Sequence, residues 1–390
     1  MVSGWRFITT FGVISLLADI VYEGARSITG PLLASLGATA LIVGLVTGVG
    51  EAAALLLRLV SGPLTDRSGK FWEWTIAGYL LTVTTVPFLG AVGVLWAASA
   101  LIIAERVGKA VRSPAKDTLL SHAAAVTGRG RGFAVHEALD QVGALAGPLA
   151  VAGLLYVFGG DYGPALGLLA IPGAGVIALL WWLRSRVPEP SRYEVTAPER
   201  PKPVDRRPFP RRFWIYSGFS AATMVGFTTF AVLAFHQVSR GIVAAGWVPV
   251  IYAAAMAADA VAALLTGWAY DRIGGRVLAV LPFLAAAVPV LAFSERLGLV
   301  VSGALVWGAA VGIQESMLRA VVADLVAPPR RATAYGVYAA LLGVATAAGG
   351  AMTGFLYGHS VALLVTVVVA MQVVAMAALP WVLRQSDSAG

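Results

Sequence analysis

Asp19, Glu23 and Arg26 fall at i, i+4 and i+7 in an otherwise apolar stretch, so a helix there presents one charged face. Glu105, Lys109, Arg112 and Lys116 repeat the pattern in a second apolar stretch, with Arg106 beside Glu105, and Glu51 is the acid of a third. An ionisable side chain at the centre of a membrane helix costs about 2.5 kcal/mol or more, so such groups face protein or water and serve function. Asp19, Glu51 and Glu105 come near the middle of their stretches, where a transported solute and a coupling proton would bind; Glu23 and Arg106 complete that set. Burial favours the neutral form of a carboxyl, which suits it to take up and release protons near neutral pH. Further along, Glu137 and Asp140 come level with Lys109 and Arg112 if their helices are antiparallel neighbours. They are expected to form a charge network that breaks and re-forms between two states, with structural ion pairing as the competing reading. His136 beside Glu137 and Asp140 offers a metal-binding set, although one histidine next to a charge cluster more often serves as a hydrogen-bond partner.

The elements that must position these groups are membrane helices. Of the 390 residues, 58% are hydrophobic and 12% charged, and apolar runs of about 20 residues, enough for a ~30 Å hydrocarbon core, recur along the whole chain. Twelve transmembrane helices are expected, among them Ala40–Val60 as the second, Leu95–Lys116 as the fourth and Val277–Phe293 as the ninth. Met1 to Arg6 runs directly into the first apolar stretch with no small-residue cleavage site, so that stretch is expected to be a retained span. With the N-terminus in the cytoplasm, Arg240 and Arg296 are the only ones of the 28 lysines and arginines in outer loops. The net charge of +8 is therefore topological and asks for no nucleic-acid partner. The absence of cysteine excludes disulfides and thiol chemistry.

The chain also repeats itself. Gly62, Asp66, Arg67 and Gly69 return with the same spacing as Gly267, Asp271, Arg272 and Gly274, and Arg112 with Asp117 returns as Arg319 with Asp324. A segment rich in proline and charge separates the copies, which divides the chain into a six-helix bundle over 1–184, a cytoplasmic linker over 185–212 and a second bundle over 213–390. Gly62-Pro63-Leu64-Thr65-Asp66-Arg67-Ser68-Gly69-Lys70 resembles the loop signature of the major facilitator superfamily, and the segment around Asp271 and Arg272 is its second copy. Arg106, Ala110 and Arg112 are similar to that family's fourth-span element, with alanine and arginine at its two glycine positions. Gly143-x-x-x-Gly147-Pro148 is similar to its antiporter signature. The run from Glu105 to Asp117, with His136 to Gln141, resembles a bacterial efflux subgroup that includes nickel-resistance proteins. That resemblance implies the major facilitator fold: an all-α membrane protein with two pseudo-symmetric bundles that alternate access to a central site. It also implies that Gly62, Asp66, Arg67, Gly69, Asp271 and Arg272 form gating loops.

No phosphate-cradling loop with its lysine, no Ser/His/acid set and no metal-spaced histidine cluster occurs, so neither an enzyme nor an ATPase is expected, and no cofactor. The leading expectation is a secondary active antiporter, a monomer in the bacterial inner membrane with both termini cytoplasmic. It would use protons to export a small amphipathic or cationic solute. A divalent-cation exporter for nickel or iron is the nearest rival, and a lipid flippase or non-transporting receptor is the rival from another class.

Overall fold

The computed structural model describes residues 2–127, 129–193, 209–273, 277, 279–326 and 331–387. It is helical throughout these residues, as expected of a backbone that must satisfy its own hydrogen bonds away from water. Ten helical spans among the described residues are long and apolar enough to cross a membrane. Two more helices occupy expected crossing positions. One is Leu95–Thr127, 33 residues long and carrying the charges of the fourth expected span; the other is the shorter Val280–Ala292, 13 residues.

The chain forms two compact units. The first comprises Met1–Ile28 and Ala53–Arg200, the second Thr29–Ala52 and Pro201–Gly390. In the first unit lie most of α1 (Gly4–Ser35), then α3 (Arg58–Ser68), α4 (Phe71–Ala91), α5 (Leu95–Thr127) and α6 (Arg129–Val157), with α7 (Tyr162–Gly167) and α8 (Ala170–Arg186) sharing one span. Its core gathers Phe7, Phe11, Trp72, Tyr79, Leu119 and Leu180. The Trp72 indole donates to the Val187 carbonyl at 3.1 Å, which anchors the chain where it leaves α8.

The signature around Asp66 is not a loop. Helix α3 runs through Gly62, Asp66 and Arg67, and the signature leaves the helix at Gly69, at φ 63°, which donates its N–H to the Thr65 carbonyl at 2.9 Å. The second copy does the same, since Gly267 and Arg272 belong to the end of α11 (Val248–Ile273); Gly274 and the side chain of Asp271 lie outside the described residues. Hydropathy ends a span where charges begin, but a helix continues past the hydrocarbon. A physical reason for the docking of α3 appears on α5. Pro114 has no N–H to offer the Ala110 carbonyl, and the Ser61 hydroxyl donates to that oxygen instead, at 2.8 Å.

In the second unit, α2 (Ala40–Leu56) enters through Gly44, which meets Gly350 of α14 (Arg331–His359) backbone to backbone. The span Arg211–Ser239 is broken into α9 (Arg211–Val225) and α10 (Phe230–Ser239). Near this break the Thr223 carbonyl accepts from the Gln372 amide of α15 (Val361–Asp387) at 3.0 Å. The Thr228 carbonyl accepts from the Trp307 indole of α13 (Leu297–Leu325) at 2.9 Å. Phe230, Tyr252 and Trp307 pack ring on ring and are buried, so these aromatics form core. Of the expected linker, 194–208 lies outside the described residues.

Candidate functional site

Charged side chains converge inside the first unit because glycines let α6 approach α1, and α4 approach α5, closely. A Cβ at Gly143 of α6 would stand 2.8 Å from the Asp19 Cβ, and one at Gly147 would stand 2.8 Å from the Ile20 carbonyl. The paired glycines of α6 therefore hold its backbone against α1 beside Asp19. On the other side, Gly78 of α4 and Gly108 of α5 face each other, and a Cβ at Gly78 would come 2.6 Å from the Cβ of Arg112. That contact places Arg112 between Tyr79 and Thr82 of α4 and Tyr22 of α1.

Asp19, Glu23, Glu105, Arg106 and Arg112 are all at least 94% buried, so none of them points at lipid. The Tyr22 hydroxyl hydrogen-bonds to the Asp19 carboxylate. The same ring carries the Lys109 ammonium at 5.2 Å from its centroid and the Arg112 guanidinium at 5.2 Å. Arg112 also lies 4.7 Å from the centre of the Tyr79 ring and donates to the Thr82 hydroxyl at 2.7 Å. Tyr22 thus joins an acid on its own helix to two bases on α5. One oxygen of Glu105 pairs with Arg106 Nε at 3.1 Å, while the other, Oε1, is buried with no hydrogen-bond partner. Glu23 pairs with Arg26 at 3.3 Å, one helical turn away.

A neutral branch continues from this cluster. The Ser15 hydroxyl lies 3.2 Å from the Tyr79 hydroxyl and 2.9 Å from His136 Nε2, linking α1, α4 and α6. His136 is held there as a hydrogen-bond partner beside Phe11, and no set of three His, Asp or Glu side chains among the described residues converges to hold a metal ion. Asp140, half-buried, acts electrostatically on Asp19, Lys116 and His136, and Glu137 is exposed. Asp66 and Arg67 are exposed at the end of α3, and Arg272 stacks 3.4 Å over the Trp268 ring. Glu51, half-buried, belongs to the second unit.

Sequence reading gave the charged members of this cluster and missed Tyr22, Tyr79, Thr82 and Ser15. Ser15 and Tyr22 had a usable signal, since they share the helical face of Asp19, Glu23 and Arg26. Tyr79 and Thr82 had none, because hydroxyl and ring residues are common in packed membrane helices.

A polytopic helical membrane protein with a buried acid-base cluster in one unit is what fold and site define. The Major Facilitator Superfamily model matches residues 11–258 and 241–389, and the chain belongs to that superfamily of transporters. An uncharacterized protein of Mycobacterium tuberculosis is 66% identical over 376 residues, covering 96% of this chain and 92% of the relative. An uncharacterized MFS-type transporter of Methanocaldococcus jannaschii is 24% identical over 356 residues, covering 89% and 87%. Among solved structures, the nucleoside transporter NupG superposes with a TM-score of 0.76 at 14% identity, covering 97% of this chain and 99% of that one. An inward-facing bacterial homolog of the human lysosomal transporter Spinster superposes with a TM-score of 0.71 at 15% identity, covering 90% and 82%. At these identities the likeness is one of fold.

Proposed function

We propose that this superfamily member is a proton-coupled antiporter that exports a small amphipathic or cationic solute by alternating access. In this reading α5 and α12 (Val280–Ala292) complete twelve spans, and the bundles are 1–184 and 213–390 about the linker 185–212. The protein works as a monomer in the bacterial inner membrane with both termini cytoplasmic.

The observation that carries the reading is the buried cluster on α1 and α5, where acids and bases share one aromatic ring. Asp19 is hydrogen-bonded to Tyr22 while the Tyr22 ring faces Lys109 and Arg112. Protonating the carboxyl weakens the acid side of this arrangement and leaves the bases to seek other partners. Such a charge-dependent rearrangement is what couples proton binding to a change of state. The Oε1 of Glu105, buried and without a hydrogen-bond partner, is the second carboxyl oxygen ready to accept a proton or a cationic group.

The test uses purified protein in proteoliposomes, with ethidium as a cationic amphipathic probe and an imposed pH gradient. Ethidium movement against its gradient is expected for the native chain, with at least a tenfold loss in Asp19→Asn and Glu105→Gln, because each removes the only titratable atom pair at its position. Glu51→Gln separates the second unit's acid from these. Flux equal to protein-free liposomes would reject the substrate class, and native flux in all three variants would reject carboxyl coupling.

A further inference from the structure

A groove of about 890 Å³ opens on the second unit, wholly between α9 and α15. Its walls are small or apolar: Gly218 and Ala222 from α9 face Ala370, Ala375 and Ala378 from α15. Short side chains on both helices leave a trough where two larger ones would have interlocked. At one end stand Arg211, the first residue of α9 and exposed, and Trp214, 47% exposed one turn further in. From Arg211 to Ala222 the trough runs about 16 Å at 1.5 Å per residue. That is close to half of a hydrocarbon core ~30 Å thick.

We propose that this groove is a binding site for one anionic phospholipid, its acyl chain lying between α9 and α15 and its phosphate against Arg211. The length matches a single leaflet. A basic side chain and an indole at one end, with only apolar surface beyond, is the polarity of a lipid molecule seen from the protein side. A soluble anion would find no polar partner along the trough, and an uncharged apolar molecule would make no use of Arg211. The volume lies within the roughly 300–1,000 Å³ typical of sites that enclose a small molecule. None of these residues belongs to the acid-base cluster, so the site stands or falls apart from the proposed transport.

The full-length protein, released from detergent micelles carrying phosphatidylglycerol and phosphatidylcholine of identical chains, is examined by native mass spectrometry. Phosphatidylglycerol is expected to be retained preferentially. Arg211→Gln should lower that preference about fivefold, as one basic contact to a lipid headgroup would, and Arg211→Lys should keep most of it. A Cβ at Gly218 meets no atom within 4 Å, so Gly218→Phe fills the trough without forcing the helices apart and should abolish retention of both lipids. A circular-dichroism melt of each variant checks that it is folded. Equal retention of the two lipids by the native chain would overturn the proposal. So would retention unchanged in folded Gly218→Phe, which would put the lipid at the helix end and not in the groove.

Discussion

Arg112 shows how much of this site depends on one side chain's shape. Its guanidinium lies over two tyrosine rings and donates to Thr82, and a planar, delocalised cation can do all three at once. A lysine keeps the charge and loses the stacking and the fixed donor direction. Arg112→Lys is therefore expected to cut gradient-driven ethidium flux about tenfold, the equivalent of one cation–π contact and one hydrogen bond. Tyr22→Phe separates the two sides of the cluster, because it keeps the ring under both cations and removes the hydroxyl that reaches Asp19. If the acid side governs coupling, Tyr22→Phe should alter the pH dependence of flux while leaving flux at the best pH within about twofold, a change smaller than one ordinary hydrogen bond. An identical pH profile in Tyr22→Phe and native protein would remove Tyr22 from the coupling path. At this scale the sequence disclosed charges well, since each has a visible cost in an apolar run. It did not disclose the uncharged partners of Arg112, since Tyr22, Tyr79 and Thr82 cost little in a membrane helix and leave no pattern.

Helix positions follow from where glycine permits backbones to meet. Gly78 and Gly108 set the approach of α4 to α5, and a side chain at Gly78 would collide with the Arg112 Cβ and backbone N, both 2.6 Å away, atoms that cannot swing aside. Gly78→Leu should lower stability by about 1–3 kcal/mol, as overpacking of a fitted interface does, and should release Arg112 from Thr82. Gly153 on α6 is the control, since a Cβ there meets nothing within 4 Å. Gly153→Ala should be neutral or stabilising by up to about 1 kcal/mol through helix propensity alone. Melting of both variants in detergent decides the point: equal melting temperatures would mean that the α4–α5 contact is not a fitted one. The paired motif at Gly143 and Gly147 was legible as spacing, and its structural meaning is the seat it gives Asp19. The signature around Asp66 was legible as a motif and misplaced as a loop, because apolar windows report where hydrocarbon ends and say nothing of where hydrogen bonding along the helix ends. Pro114 lies within the expected fourth span, and what the sequence left unseen is that Ser61 takes up the carbonyl it frees.

For the whole molecule, the number of crossings turns on α5 and α12, and their difficulty has opposite causes. α5 has ample length, but Glu105, Arg106, Lys109, Arg112 and Lys116 make it the most charged of the long helices. α12 is apolar throughout, but its 13 residues rise only about 20 Å, short of a ~30 Å core. Both are expected to cross, α5 because Glu105, Arg106 and Arg112 are buried within the first unit, α12 because the bilayer tolerates a few ångströms of mismatch. The chain contains no cysteine, so single cysteines report sidedness without background. In sealed membranes, a thiol reagent that cannot permeate should label Gly93→Cys and Glu295→Cys from the outer face. It should reach Ala125→Cys and Ile273→Cys only after the membrane is opened, so that each pair brackets one crossing. Labelling of Gly93→Cys and Ala125→Cys from the same face would make α5 a re-entrant element, and the cluster around Asp19 would then have to be reached from one side alone. Alternating access needs α5 to span, because a bundle that rocks about a central site must carry its buried charges past both openings, and a helix anchored at one face cannot do so.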